Sequence, residues 1–517
     1  MRPQAAGNSS TVPPATSKSL TWAHWITLVL LFVTCVALRM FCLACKPFWF
    51  DEAFSVEVAR LTWPNFLHLL WWREANMSLY YMLLRVWLHF GQSPYFIRSL
   101  SVLIATLTLP AIYWLGRLLF DRRVALIAAA LFTFNAYDVR YSQEARSYSL
   151  FVLLATASSG LLVAWLAEPS RRRLRRYIAA SVLAAYSHFY ALLLIATHWL
   201  ALKLTRQPQI GENLPGSPLR RAWWTIGLLV LPLLAFVAKT GAGPIRWIHR
   251  PGLRDLVEFF EYLCGSDHWP LALLYVAACT VAASSVRQRL WKRNPSRDVW
   301  RVQFLLIWFF FPIVLTALLS FARPVFLGRY MIFCLPPLLI LAAAGLERLR
   351  RRWALGTVLA VMLFFSLQGV FFVYGHDFDT ERDASESASN FILDQAKPGD
   401  AILFHIAETR IPYEFARSLR AGRDTASANF TAQLGPEILF PRHSQGLDYR
   451  DFTGKPAPDL VRQAASRHAR LWLMLMNNGS DEKPDATTVM LTHLLPELFP
   501  NVRRWRLAKV EVRLYSK

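Results

Sequence analysis

The chain has 517 residues, of which 55% are hydrophobic and 14% aromatic, while only 18% are charged. Its mean hydropathy is +0.29, and apolar runs of roughly 20 residues, each long enough to cross a hydrocarbon core, recur from Thr21 to Tyr374. This excludes a disordered protein, a disulfide-rich secreted module and an ordinary cytosolic enzyme. The net charge of +23 has a specific location: residues 375–517 hold 19 acidic and 19 basic residues, so the whole surplus precedes them, largely in short loops between apolar runs. That is the positive-inside pattern of a polytopic membrane protein, and it predicts no nucleic-acid partner.

Taken in chain order, residues 1–20 are rich in Ser, Thr, Pro and Ala and read as a disordered cytoplasmic tail. The first apolar run, Trp22 to Ala44, is too long for a signal-peptide core and reads as a retained span. The stretch 46–98 mixes tryptophan and tyrosine with charges and has short amphipathic segments, which predicts a long first outer loop with helices at the membrane interface. Further spans are expected at about 99–116, 124–138, 148–167, 174–188, 189–205, 222–240, 269–286, 302–321, 328–346 and 354–374, about eleven in all, within a membrane domain covering 21–374. Arginine-rich loops such as Arg171 to Arg176 and Arg348 to Arg352 are expected inside; an odd span count then sets 375–517 on the opposite face from the N-terminus. That tail has soluble composition. Ala401 to Phe404, Leu471 to Met476 and Lys509 to Tyr515 read as strands, and Ser385 to Gln395 and Tyr413 to Arg420 as helices, predicting a small α/β domain.

Acidic residues beside a membrane are costly unless solvated or paired, so the carboxylates expected on the outer face are informative. Asp51 and Glu52 directly follow the first span, Asp138, Arg140, Glu144 and Arg146 crowd a second short loop, and Arg329 with Tyr330 occupies a third. A carboxylate is what general-base work needs, and arginines are what a phosphate needs. The residues alone also fit solvated loop charges. His188, near the outer end of its span, fits either a phosphate or metal contact or a satisfied interior histidine. Cys42 and Cys45 form a C-x-x-C, but two ligands do not complete a zinc site, and the six cysteines are read as incidental. No P-loop and no G-x-G-x-x-G after a strand is present.

The segment Phe48-Trp49-Phe50-Asp51-Glu52-Ala53-Phe54-Ser55 resembles the Asp-Glu signature in the first outer loop of the protein O-mannosyltransferase superfamily. Leu79-Tyr80-Tyr81, Arg98-Ser99-Leu100-Ser101, Leu115-Gly116-Arg117 and Tyr141 to Tyr148 look like segments of its bacterial members. Arg329-Tyr330 followed by Leu335-Pro336-Pro337 is similar to the late Arg-Tyr…Pro-Pro segment of the group. The matches keep their order over about residues 45–345. Relatives include aminoarabinose transferases of lipid A and lipopolysaccharide galacturonosyltransferases, which share the GT-C membrane fold. Many bacterial relatives have Pro-Pro before Leu-Tyr-Tyr, where this chain has Met77-Ser78.

The resemblance implies a mainly α, polytopic GT-C protein in a bacterial inner membrane; the composition of 375–517 and the loop charges predict its C-terminal periplasmic α/β domain. It implies inverting transfer of one sugar from a polyprenyl-phosphate donor to a glycan, lipid or protein acceptor on the outer face. Asp51 would be the base or would orient the acceptor, with Glu52 beside it; Arg146, Arg329 and Tyr330 would hold the donor phosphate. Glu144, Tyr148, His188 and Tyr81 would support them. A divalent metal ion is left open as a cofactor, with Asp51, Glu52 and Glu144 as the carboxylates it would use. The competing class is a transporter or flippase of lipid-linked sugars.

Overall fold

A computed structural model describes residues 22–205, 216–241, 248–266, 268–291, 297–376, 380–423, 435–440, 455–476, 484–507 and 510–517. The tail at 1–20 and Lys509, at the start of an expected strand, lie outside these residues.

The first helix, α1 (Trp22–Met40), is followed by three short helices, α2 (Phe50–Arg60), α3 (Trp63–Trp72) and α4 (Ser78–Trp87), which fill the expected loop 46–98. The membrane body continues with α5 (Pro94–Leu119), α6 (Arg122–Thr133), α7 (Ala136–Ser142), α8 (Tyr148–Ala167), α9 (Arg171–Ser187), α10 (Ala191–Leu204) and α11 (Gly216–Thr240). It is completed by α12 (Leu253–Cys264), α13 (Trp269–Trp291), α14 (Arg297–Ala322), a 3-10 turn (Gly328–Cys334), α15 (Leu335–Leu346) and α16 (Arg352–Gly375). Most of the predicted spans are single α-helices, and the one expected at 328–346 opens with the 3-10 turn before α15. Seven helical stretches among the described residues are long and apolar enough to cross a membrane, and Ala191–Leu204 and Trp269–Ser284 are shorter apolar helices. The run expected as one span at 124–138 breaks at Phe134-Asn135, because the Asn135 side chain accepts from the Asp138 amide and starts α7 afresh.

Helix α15 is buried along its whole length, which is why Leu335 to Leu346 is almost purely aliphatic. Small residues let its neighbours come close: a Cβ at Gly345 would stand 1.8 Å from the Ala278 carbonyl of α13. At Gly369 of α16 a Cβ would meet the Gly265 carbonyl at 2.2 Å.

Beyond α17 (Thr380–Gln395), the chain forms β1 (Ala401–His405), α18 (Arg410–Arg423), β2 (Glu437–Phe440), α19 (Pro458–Arg467), β3 (Arg470–Met476), α20 (Ala486–Leu498), β4 (Asn501–Leu507) and β5 (Val510–Ser516). The sheet order is β2-β1-β3-β5-β4, with β1 parallel to β2 and β3, and β5 antiparallel to β3 and β4. Alternate residues serve two cores. Leu403, Leu471 and Leu473 meet α19 and α20 on one face, while Ile402, Phe404 and Trp472 meet α17 and α18 on the other. With both faces covered, β1 is apolar up to its last residue, His405, and β3 is apolar after its first, Arg470.

This domain docks on α2. Phe48 stacks on Phe415 of α18 with ring centroids 4.5 Å apart, the Phe48 amide donates to Glu386 at 3.1 Å, and Arg60 donates to Ser418 at 2.8 Å.

The Gly345 contact is with backbone, which cannot rotate away. Gly345→Ala is expected to cost about 1–3 kcal/mol of stability, read as a lower thermal midpoint in detergent micelles, with α13 and α15 forced apart.

Candidate active site

The site forms where α2 meets the short turns before α8 and α15. Two adjacent carboxylates open α2, where the helix N-terminus favours negative charge. They face different surroundings. Glu52 is fully buried: Arg98 donates from Nε to Oε1 at 2.9 Å and from Nη2 to Oε2 at 2.7 Å, and the Ala145 amide donates to Oε1 at 2.8 Å. The remaining donors of Arg98 reach the carbonyls of Leu43, Lys46 and Pro47 at 2.8–2.9 Å, so all five of its N–H groups are used. Glu52, expected beside Asp51 as a second catalytic carboxylate, is therefore buried and held by three protein donors, and its geometry is that of a positioning residue.

Asp51 is 22% exposed and has looser partners: Arg146 Nη2 lies 3.5 Å and Arg329 Nη2 3.9 Å from its Oδ2. Arg146 is oriented from behind by the Asp51 carbonyl at 3.2 Å and Ser55 Oγ at 3.3 Å. Arg329 sits over Trp49, 5.6 Å from its ring centre, and beside Tyr330. A carboxylate with free lone pairs, flanked by two guanidiniums, can take a proton on one side while an anion rests on the other.

Of the predicted supporting residues, Tyr81, Tyr148 and His188 lie beside this group, and Glu144 lines a neighbouring cavity. Tyr81 faces Arg146. Tyr148 is fully buried within the field of Arg329, Arg146 and Asp51. His188 caps α9, stacks on Phe151 and sets its ring 4.8 Å from that of Tyr330. The carboxylate of Glu144 lines a small cavity with Lys46, Arg98, Arg140 and Gln143, while its carbonyl accepts from the Arg146 amide at 2.7 Å. Asp51, Glu52 and Glu144 do not assemble as a metal cluster; among the described residues, no group of three or more His, Cys, Asp or Glu side chains is arranged to hold a metal ion. Cys42 and Cys45 form a disulfide, a pairing that the sequence reading did not assign.

Three charged residues of the site were not singled out from the sequence. Glu74, with Arg73, lies in the turn between α3 and α4, within the field of Asp51 and Arg146. Burial, reinforced by the Asp51 charge and opposed by Arg146 and Arg73, pushes its carboxyl up to about 7. Glu408, just before α18, lies within the field of Arg73 and Asp51, and burial followed by the Asp51 charge raises its carboxyl, with Arg73 opposing. Met77, which ends the Glu74 turn, has φ +63°, a left-handed conformation that proline cannot adopt. The departure from Pro-Pro in this chain thus coincides with a turn that proline at position 77 would forbid.

Removing the cation of the Glu52–Arg98 pair, as in Arg98→Met, leaves a buried carboxylate unpaired; the expected loss is about 3–5 kcal/mol, measured as a fall in thermal midpoint. Glu74 gives a pH signature. Between the usual carboxyl value and about 7, the folded protein holds a proton that the unfolded chain has lost. Stability therefore falls as pH rises through that window and levels off above it. The wild-type thermal midpoint is expected to drop between about pH 5 and about pH 8, and Glu74→Gln to shrink that drop.

No protein-family model matches the sequence, and neither does any curated protein. Solved structures do. ArnT from Cupriavidus metallidurans in the apo state is 14% identical with a TM-score of 0.60, over 95% of this chain and 98% of that one. The same protein bound to undecaprenyl phosphate is 13% identical with a TM-score of 0.58, over 96% of this chain and 98% of that one. The oligosaccharyltransferase of Archaeoglobus fulgidus in the apo form is 10% identical with a TM-score of 0.50, over 87% of this chain and 69% of that one. The chain therefore has the GT-C membrane fold that its motifs imply, a polytopic helical body carrying a small C-terminal α/β domain.

Proposed function

We infer that this protein is an inverting glycosyltransferase that moves a single sugar from a polyprenyl-phosphate donor to an acceptor on the extracytoplasmic face of a bacterial inner membrane. The observation that carries this reading is the asymmetry of the two adjacent carboxylates. Glu52 is fully buried and holds three protein donors, whereas Asp51 is partly exposed and keeps open lone pairs next to Arg146 and Arg329.

In the reaction, an acceptor hydroxyl attacks C1 of the sugar from the side opposite the phosphate. Asp51 accepts the hydroxyl proton, or orients the hydroxyl until it is lost. The C1–O bond breaks with its electron pair going to the phosphate, so the leaving lipid gains one negative charge. Arg146 and Arg329 meet that charge, and Tyr330 adds a hydroxyl; preorganised cations are worth most where charge develops. Inversion at C1 follows from one displacement without a sugar-enzyme intermediate.

Two further features support the donor. An apolar groove of about 460 Å³ runs between α10 and α14, lined by Leu200, Leu306, Ile307, Phe310, Phe311, Val314, Leu315 and Leu318. Tyr190, at the start of α10, donates to the Val325 carbonyl just past α14 and packs on Tyr330, the neighbour of Arg329. An isoprenoid chain fits such a surface. ArnT from Cupriavidus metallidurans, of the same fold, has been solved with undecaprenyl phosphate bound.

Asp51→Asn preserves shape and removes the base. Release of polyprenyl phosphate from a labelled polyprenyl-phosphate hexose in proteoliposomes containing the acceptor fraction is expected to fall by about 10²-fold or more, with the thermal midpoint retained. Wild-type release by a folded Asp51→Asn protein would remove Asp51 from the mechanism.

A further inference from the structure

Among the buried polar atoms near the arginine pair that have no hydrogen-bond partner in the described residues are the hydroxyl of Tyr148, at 0% exposure, and Nε2 of His188, at 1%. Buried polar groups are normally satisfied, so two on rings 6.5 Å apart call for an account. The state of the histidine is fixed by its other nitrogen. The Tyr190 amide donates to Nδ1 at 3.2 Å, and an amide can only donate, so Nδ1 carries no proton. The ring is therefore neutral and its one N–H is on Nε2. Phe151 stacks on one face of this ring at an interplanar angle of 8°, Tyr330 and Tyr190 meet it edge-on, and the Phe189 amide beside it is held by Asn76. The donor cannot swing elsewhere.

Tyr148 is held in the same way. Its ring packs on Tyr141 at 5.0 Å and approaches His188 at 6.5 Å. Both residues lie within the field of Arg146 and Arg329. Arg146, for its part, spends Nη1 on the Asp51 carbonyl and Ser55. A phosphate resting there has more lone pairs than Arg146 alone can meet.

We propose that Tyr148 and His188 form a pair of neutral hydrogen-bond donors that bind the non-bridging phosphate oxygens of the lipid, His188 through an Nε2–H fixed by the Tyr190 backbone. This rests on the donor reading above and deepens it. Neutral donors suit an anion that must also leave. They strengthen as the phosphate gains charge, yet hold the product less tightly than two more cations would.

The test measures binding of undecaprenyl phosphate and of an intact undecaprenyl-phosphate hexose to the purified full chain. Tyr148→Phe removes only the hydroxyl. His188→Asn keeps an acceptor near the Nδ1 position and loses the donor, whereas His188→Gln restores an N–H near the Nε2 position. Tyr148→Phe and His188→Asn are each expected to weaken undecaprenyl phosphate binding about tenfold, with His188→Gln recovering most of that loss. The Tyr148→Phe midpoint is expected to stay put, while both His188 variants lose ring packing and fall alike; a purely structural role would show no recovery of binding in His188→Gln. Wild-type affinity for the bare phosphate in both loss variants overturns the proposal, and loss confined to the sugar-bearing lipid overturns it by moving the pair to the sugar. If wild type binds neither lipid, the donor reading fails, and the proposal with it.

Discussion

The site depends on one buried ion pair, Arg98 with Glu52. Alone, neither charge would be tolerated: moving one ion out of water costs several kcal/mol, and mutual attraction recovers that only with good geometry and further hydrogen bonds. Here the geometry is bidentate, and the spare donors of Arg98 are absorbed by three carbonyls of the segment leaving α1. The spare capacity of Glu52 takes the Ala145 amide, one residue before Arg146. One pair thus ties together the exit of α1, the start of α2, the start of α5 and the turn before α8. Once these are fixed, Asp51 has little freedom and Arg146 arrives beside it. A second buried pair works alongside: Arg39 holds Asp138 at 2.7 Å and donates to the carbonyls of Cys35, Phe132 and Thr133, locking α1 to α7.

Two adjacent carboxylates with opposite fates also show how such a site divides its work. A fully buried carboxylate in a bidentate pair cannot take a substrate proton without weakening the scaffold. A carboxylate with long ion pairs at 3.5 and 3.9 Å is held in charge but not in hydrogen bonding, so its lone pairs stay available. The helix sets this difference. Consecutive residues on α2 point about 100° apart, so Glu52 faces inward to Arg98 while Asp51 faces the pocket.

Much of the fold was legible from the sequence because apolar length is a strong signal in a membrane, and most of the expected spans are single helices. The apolar stretches 401–404 and 471–476 were legible for a related reason, since a strand covered on both faces is apolar on both. Strand β4 was not: Asn501 to Leu507 carries Arg503, Arg504 and Arg506 on an exposed edge, and its pairing with β5 leaves no alternating apolar pattern to read. Asp51, Arg146 and Arg329 stood out because charge beside an apolar run is costly and therefore conspicuous. The pairing of Arg98 had a signal of the same kind, a cation at the head of a long apolar helix, but its partner 46 residues earlier is fixed only by packing.

Glu408 had no such signal. It lies in a soluble-looking domain rich in charge, more than 350 residues from Asp51, and it reaches the site only because Phe415 and Ile411 of α18 bury themselves with Phe48 and the apolar face of α2. The interface that brings it there is hydrophobic, so it is stable without drawing on the charges it carries to the pocket. Three carboxylates, Asp51, Glu74 and Glu408, consequently share one region with Arg73, Arg146 and Arg329, and the excess burial of Glu74 and Glu408 is balanced by Arg73 standing near both. Arg146 and Arg329 approach Asp51 from the turns before α8 and α15, while Glu74 with Arg73 comes from the turn after α3 and Glu408 from the C-terminal domain, so the charges around Asp51 are drawn from both the membrane body and the α/β domain.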